Sequence, residues 1–70
     1  MAKRLKEIHI DSVLEHWTMY VYVDSKFDKD ILKIEGVRGG MRILSGYLTV
    51  HVDPRYDFFE VEREIIELCR

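Results

Sequence analysis

The sequence has few of the residues with which very small domains reinforce their fold. Its 70 residues include one cysteine, Cys69, and one proline. A single cysteine excludes an intramolecular disulfide, so a core of this size depends on tight packing or on oligomerisation. The net charge is only −2, so neither sign dominates. Long-range attraction to nucleic acid is therefore not expected, and we do not predict nucleic acid as the main partner.

Long apolar runs are also missing. No run approaches the roughly 20 apolar residues that a membrane-spanning helix needs. The first residues, MAKRLKEIHID, are charged where a signal peptide has its apolar segment. With 47% hydrophobic and 34% charged residues, the composition is that of a globular protein. These features predict one cytoplasmic domain over residues 1–70, with no membrane partner.

Two alternating apolar runs predict a β-hairpin in the second half of the chain. The runs are Met41–Leu44 and Tyr47–Val52, and the pair Ser45-Gly46 between them suits a tight two-residue turn. Alternation divides the hairpin into two faces. The residues expected to face the core are Met41, Ile43, Leu48, Val50 and Val52.

Two further strands are predicted before the hairpin. The run from Trp17 to Val23, WTMYVYV, is filled almost entirely with aromatic and β-branched residues, which is typical of a strand. Farther upstream, Ile8 and Ile10 alternate with polar residues, which favours a strand within residues 3–14. A helix from Ala2 to His16 also fits that segment, and the sequence leaves both alternatives open.

A helix is predicted between the second strand and the hairpin. Ser25 with Asp28 resembles a capping box, which would open a helix that runs through Glu35. Gly36 would then supply a left-handed C-terminal cap.

A second helix is predicted after the hairpin, starting near Pro54 or Asp57. Its apolar stripe consists of Phe58, Val61, Ile65 and Leu68. The element order is thus ββαββα. It predicts an α+β fold, a two-layer sandwich in which a four-stranded antiparallel sheet carries two helices on one face.

The segments ILKIEGVRGG, YLTVHVDP and EVEREIIEL resemble the sequences of heavy-metal-associated domains, which have a ferredoxin-like fold. The likeness implies a permuted ferredoxin-like order, in which the N-terminal strand takes the place of the family's last strand. That family binds metal through a Cys-x-x-Cys motif at the first strand-to-helix junction. The matching positions here are Asp24, Ser25 and Lys26, so the resemblance implies the fold and does not imply the metal site.

The outer face of the sheet is the main candidate for function, because large aromatic residues on an exposed face require an explanation. The predicted partner-binding face consists of Tyr20, Tyr22, Arg42, Tyr47, Thr49 and His51. It is interpreted either as a solvated face with cross-strand aromatic pairs or as a surface buried against a second copy. Stacking of nucleic-acid bases on the tyrosines, with help from Arg38 and Arg42, is a further alternative.

Two weaker sites are also considered. Arg38, Gly39, Gly40 and Arg42 have the composition of an anion site, although a bulge at the entry to a strand explains the glycines as well. Metal-ligand candidates are His9, His51 and Asp53, but no pair of them has a recognised zinc spacing.

No nucleophile and base occur at a meaningful spacing, and 70 residues leave little interior for a pocket. The sequence therefore predicts a non-catalytic binding, regulatory or oligomerisation module without a cofactor. Its expected partner is a second copy of itself, with another protein as an alternative. The remaining hypotheses are a single-stranded nucleic-acid-binding domain and a metal- or anion-binding domain.

Overall fold

A computed structural model describes residues 8–44 and 46–69 of the chain. It contains four strands, β1 (His9–Val13), β2 (Thr18–Tyr22), β3 (Val37–Ile43) and β4 (Tyr47–Val52), and two α-helices, α1 (Asp28–Leu32) and α2 (Phe58–Cys69). The strands form one antiparallel sheet in the order β1-β2-β4-β3. The predicted α+β fold, with a four-stranded antiparallel sheet and two helices, is thus confirmed.

The core lies between the sheet and the helices. Strands β2 and β4 supply Met19, Val21, Leu48, Val50 and Val52, the helices supply Ile31, Phe58, Val61, Ile65 and Cys69, and all ten are buried. The predicted apolar stripe of α2 faces this core. The last residue of α2 is Cys69, which is 6% exposed. Burial raises the pKa of the Cys69 thiol, because the thiolate would lose its hydration.

The N-terminal segment forms a strand where it is described. His9–Val13 pairs with Tyr22–Thr18 along its whole length, which excludes a helix through these residues. The alternative helix would begin at Ala2, outside the described part of the chain. A single 3-10 turn at Leu14–His16 connects β1 to β2, and Trp17 completes it with a φ of 50°.

Helix α1 is shorter than predicted. A 3-10 turn at Ser25–Phe27 precedes it, and Asp24 rather than Ser25 caps that turn by accepting a hydrogen bond from the Lys26 N–H at 2.9 Å. The helix ends at Leu32, not Glu35. Gly36 has the predicted positive φ, 101°, but it lies in a separate turn closed by a hydrogen bond from the Val37 N–H to the Ile34 carbonyl.

A β-bulge at the start of β3 reverses the predicted faces of that strand. Val37 pairs with Val52 and Gly39 pairs with His51, so Arg38 is an extra residue without a partner on β4. One inserted residue moves every following side chain to the other face. The prediction that Met41 and Ile43 face the core is therefore wrong: they pair with Thr49 and Tyr47 on the outer face.

The hairpin turn also differs from the prediction. Ile43 pairs with Tyr47, and the Gly46 N–H donates to the Ile43 carbonyl at 2.9 Å, so three residues rather than two connect the strands. Ser45, the first residue of the predicted Ser45-Gly46 turn, lies outside the described residues. Leu44 adopts a φ of 46°, a left-handed conformation that is unusual for a residue with a branched side chain.

Of the two predicted starts of α2, near Pro54 or near Asp57, the structure has the second. The Asp57 carboxylate accepts hydrogen bonds from the backbone N–H groups of Phe59 and Glu60, at 3.0 and 3.3 Å. These are two of the donors that a helix N-terminus leaves unpaired. None of the helices in residues 8–44 and 46–69 has the length and apolar character needed to cross a membrane.

Candidate functional site

Aromatic side chains form a continuous ladder across the outer face of the sheet. The ring centroids of Tyr22 and Tyr47 are 5.2 Å apart, and those of Tyr20 and Tyr47 are 5.4 Å apart in an edge-to-face arrangement. His9 extends the ladder onto β1, with its ring 5.0 Å from that of Tyr22. Such tilted and edge-to-face pairs stabilise the sheet.

The outer face is more apolar than the sequence predicts. Because of the bulge, Met41 and Ile43 lie beside Thr49 and Tyr47, and the Met41 side chain is 65% exposed. Val13 adds a further apolar residue where β1 pairs with Thr18. The double glycine was the signal in the sequence for the bulge, but glycine spacing alone does not reveal which residue is inserted.

In the structure, the outer face of the sheet consists of the following residues: His9, Asp11, Val13, Thr18, Tyr20, Tyr22, Met41, Ile43, Tyr47, Thr49 and His51. The five expected residues Tyr20, Tyr22, Tyr47, Thr49 and His51 lie together there. Partial burial, followed by the nearby Asp11 carboxylate, raises the pKa of Tyr22, so its hydroxyl stays protonated at neutral pH.

Arg42 does not belong to the outer face. It pairs with the buried Leu48, and its guanidinium binds the carboxylate of Asp28 and the carbonyl of Val23 on the side that the helices cover. The prediction that Arg42 lines the partner-binding face is therefore wrong, for the same reason of register. In the described strands, none of the cross-strand residue pairs on the outer face includes a lysine or an arginine.

The three metal-ligand candidates are not brought together. His9 pairs with Tyr22 at one end of β2, whereas His51 pairs with Thr18 at the other end. Asp53 accepts hydrogen bonds from Arg55 through both carboxylate oxygens, at 3.2 and 2.8 Å. Within residues 8–44 and 46–69, no group of three or more His, Cys, Asp or Glu side chains is arranged to hold a metal ion.

A shallow depression of about 550 Å³ opens at the end of the sheet where β2 begins and β4 ends. Its lining includes His16, Trp17, Arg38, Gly39 and His51. Three of the four predicted anion-site residues, Arg38, Gly39 and Gly40, line this depression, and the fourth, Arg42, does not. Sequence reasoning considered His16 only as a possible neighbour of His51, and it missed Trp17, because the 3-10 turn that positions both has weak turn chemistry.

A short hydrogen-bond chain orients His51 at the edge of the depression. The Thr18 hydroxyl donates to the carbonyl of His16 at 2.8 Å, and the His51 Nδ1 lies 3.3 Å from the same hydroxyl oxygen. Because a hydroxyl has one proton, it accepts from His51, so His51 carries its proton on Nδ1. The Nε2 atom is then left to interact with another group.

No protein-family model, curated protein or solved structure matches this chain.

Proposed function

We propose that this chain is a small, non-catalytic self-association module that forms a homodimer through the outer face. The observation that carries the proposal is the aromatic ladder of Tyr20, Tyr22 and Tyr47, flanked by the exposed Met41. Tyrosine and methionine are enriched at interfaces, where they bury large areas. A 70-residue chain without a disulfide gains stability from covering such a face.

The charge of the outer face favours a second copy as the occupant. Its charged groups are one carboxylate, Asp11, and the histidines His9 and His51. His9 lies 3.1 Å from Asp11, so the acidic group already has a neighbour that becomes cationic on protonation. A nearly neutral face attracts neither a strongly acidic nor a strongly basic partner, whereas it meets itself without like-charge repulsion.

The size of the face sets the expected strength of association. Four strands about 4.8 Å apart, with roughly five residues each at about 3.3 Å per residue, give a face of roughly 19 by 17 Å. Its projected area, roughly 320 Å², becomes larger when side-chain relief is included, yet it lies at the low end of specific interfaces. We therefore expect a dimer that assembles in the micromolar range.

The same proposal includes a permuted ferredoxin-like fold. It is supported by the sheet order β1-β2-β4-β3, in which β2 and β3 are parallel and flank β4. The connection from β2 through α1 to β3 is thus a split βαβ unit, which is characteristic of ferredoxin-like domains. In this interpretation, β1 occupies the edge position of the last strand of those domains.

Sedimentation equilibrium over a wide concentration range tests self-association. We expect the wild-type chain to reach the mass of two chains at high micromolar concentration, and Met41→Glu to stay monomeric. The matched control is Phe59→Glu, because Phe59 on α2 is 60% exposed, close to the 65% of Met41, but lies away from the outer face. A wild-type monomer at high micromolar concentration, or equal effects of the two variants, would refute the proposal.

A further inference from the structure

The depression at the end of the sheet combines two histidines with a cationic side chain that forms no hydrogen bond or salt bridge within the described residues. Among residues 8–44 and 46–69, Arg38 makes no hydrogen bond or ion pair, and it is exposed. The bulge places it there, because an inserted residue redirects its side chain relative to the strand. The Asp53 carboxylate is close enough for Arg38 to contribute to its lowered pKa, but both of its oxygens are bound by Arg55.

The polar groups around Arg38 are suited to bind an acceptor. His51 keeps Nδ1 for the Thr18 hydroxyl, which directs its Nε2 to other partners. His16 lines the same depression, and none of the described residues that line it carries a carboxylate. Protonated imidazole and guanidinium groups donate charge-assisted hydrogen bonds, the strongest kind that a shallow site can offer.

We propose that this depression binds a small tetrahedral oxyanion, such as the phosphate group of a low-molecular-weight phosphate ester. Arg38 supplies the permanent charge, while His16 and His51 supply donors when they are protonated. The indole of Trp17, which packs edge to face on Phe58 with ring centroids 5.8 Å apart, forms an apolar wall for the organic part of the ligand. This proposal does not rest on self-association, but His51 and Met41 lie in both the depression and the outer face, so binding is measured at concentrations at which the chain is monomeric.

Binding should strengthen as the pH falls from 8 to 5, because histidine side chains generally gain their proton in that range. Among the described residues, the charged and titratable groups that line the depression are Arg38 on β3, His16 in the 3-10 turn and His51 on β4. Asp53 with its partner Arg55 lies next to Arg38, beyond β4. Asp53 and the two arginines keep their charges between pH 5 and 8, since the pKa of Asp53 is lowered to about 2.

The experiment uses inorganic sulfate as the probe, because sulfate stays a dianion throughout this pH range. Trp17 is the single tryptophan of the chain and lines the depression, so its fluorescence reports on binding. Titrations at constant ionic strength, set with sodium chloride, remove the general salt effect. Isothermal titration calorimetry gives a second measure of affinity that does not depend on the indole.

For the wild-type chain we expect saturable binding that is several-fold tighter at pH 5.5 than at pH 7.5. Arg38→Gln should weaken it at least tenfold, and His51→Gln should reduce the pH dependence, with the remainder due to His16. Arg63→Gln is the matched control, since Arg63 on α2 is also exposed but lies outside the depression, and it should bind as the wild type does.

Phenyl phosphate tests the role of Trp17. We expect it to bind more tightly than inorganic phosphate, because its ring can pack on the indole. Equal binding by Arg38→Gln and the wild type, or a response that sodium chloride reproduces, would overturn the proposal.

Discussion

Arg42 and Asp28 form a two-point ion pair that joins the hairpin to the start of helix α1. The Arg42 Nε donates to one carboxylate oxygen of Asp28 at 3.0 Å, and a terminal nitrogen donates to the other at 2.6 Å. That terminal nitrogen also donates to the carbonyl of Val23, at 3.0 Å, just after β2. The two side chains are only 20% and 21% exposed, so solvent screens the pair weakly. This pair therefore ties three consecutive parts of the chain together.

Replacing Arg42 with alanine should destabilise the fold by about 2 kcal/mol, because Asp28 and the Val23 carbonyl lose a charge-assisted partner while half-buried. Urea denaturation measures the change. The control is Arg63→Ala: its ion pair with Glu60 has side chains that are 65% and 52% exposed, so solvent screens it and its loss should cost much less. Similar costs for the two variants would contradict a structural role for Arg42.

The position of Arg42 shows where sequence reasoning reached its limit. Alternation predicts faces correctly along β4, where Leu48, Val50 and Val52 are all buried. It fails along β3, because a bulge changes the count by one residue and the sequence pattern of GVRGGMRIL fits either count. The orientation of Arg42 and Met41 is decided instead by packing across the sheet, which a one-dimensional pattern does not contain.

Helix α1 illustrates a second limit. Its predicted span, Ser25–Glu35, has good apolar spacing, yet only Asp28–Leu32 is α-helical. Turns on both sides of a short helix compete with it for the same residues, and the chain must reach β3 within a few residues. In contrast, α2 has a strong cap at Asp57 and a twelve-residue amphipathic stripe, so both its start and its buried face could be predicted.

Gly40 is expected to tolerate no side chain. A Cβ atom at this position would lie 2.0 Å from the backbone oxygen of Thr49 and 3.1 Å from Leu32 Cδ2, so the paired strand itself would have to move. Gly40→Ala should therefore cost about 3 kcal/mol, measured by thermal or urea denaturation.

The matched control is Gly46→Ala in the hairpin turn. A Cβ atom there would meet only the Ile43 oxygen, at an ordinary distance of 3.7 Å. We expect this variant to change the stability by less than about 1 kcal/mol in either direction. Equal stability of the two alanine variants would contradict the close approach of β3 to β4 at Gly40.

Asp53 should make the fold sensitive to strong acid. The Asp53 carboxylate accepts a hydrogen bond from the Arg55 side chain at 2.8 Å and from the Arg55 backbone N–H at 2.9 Å, and these lower the pKa of Asp53 to about 2. The pKa of an aspartate in an unfolded chain is about 3.9. Because the folded-state pKa is the lower one, the stabilisation is complete above about pH 4 and is lost as the pH falls towards 2.

Asp53→Asn separates this charge effect from the turn itself, because asparagine keeps an oxygen that can accept from the Arg55 N–H. We expect the variant to be less stable than the wild type at pH 7, and the difference in unfolding free energy to shrink steadily between pH 4 and 2. The control is Asp30→Asn, since Asp30 makes no side-chain hydrogen bond or ion pair within the described residues. Its difference from the wild type should vary much less over that interval. A gap between wild type and Asp53→Asn that stays constant from pH 7 to 2 would mean that Arg55 does not stabilise the Asp53 carboxylate in the folded chain.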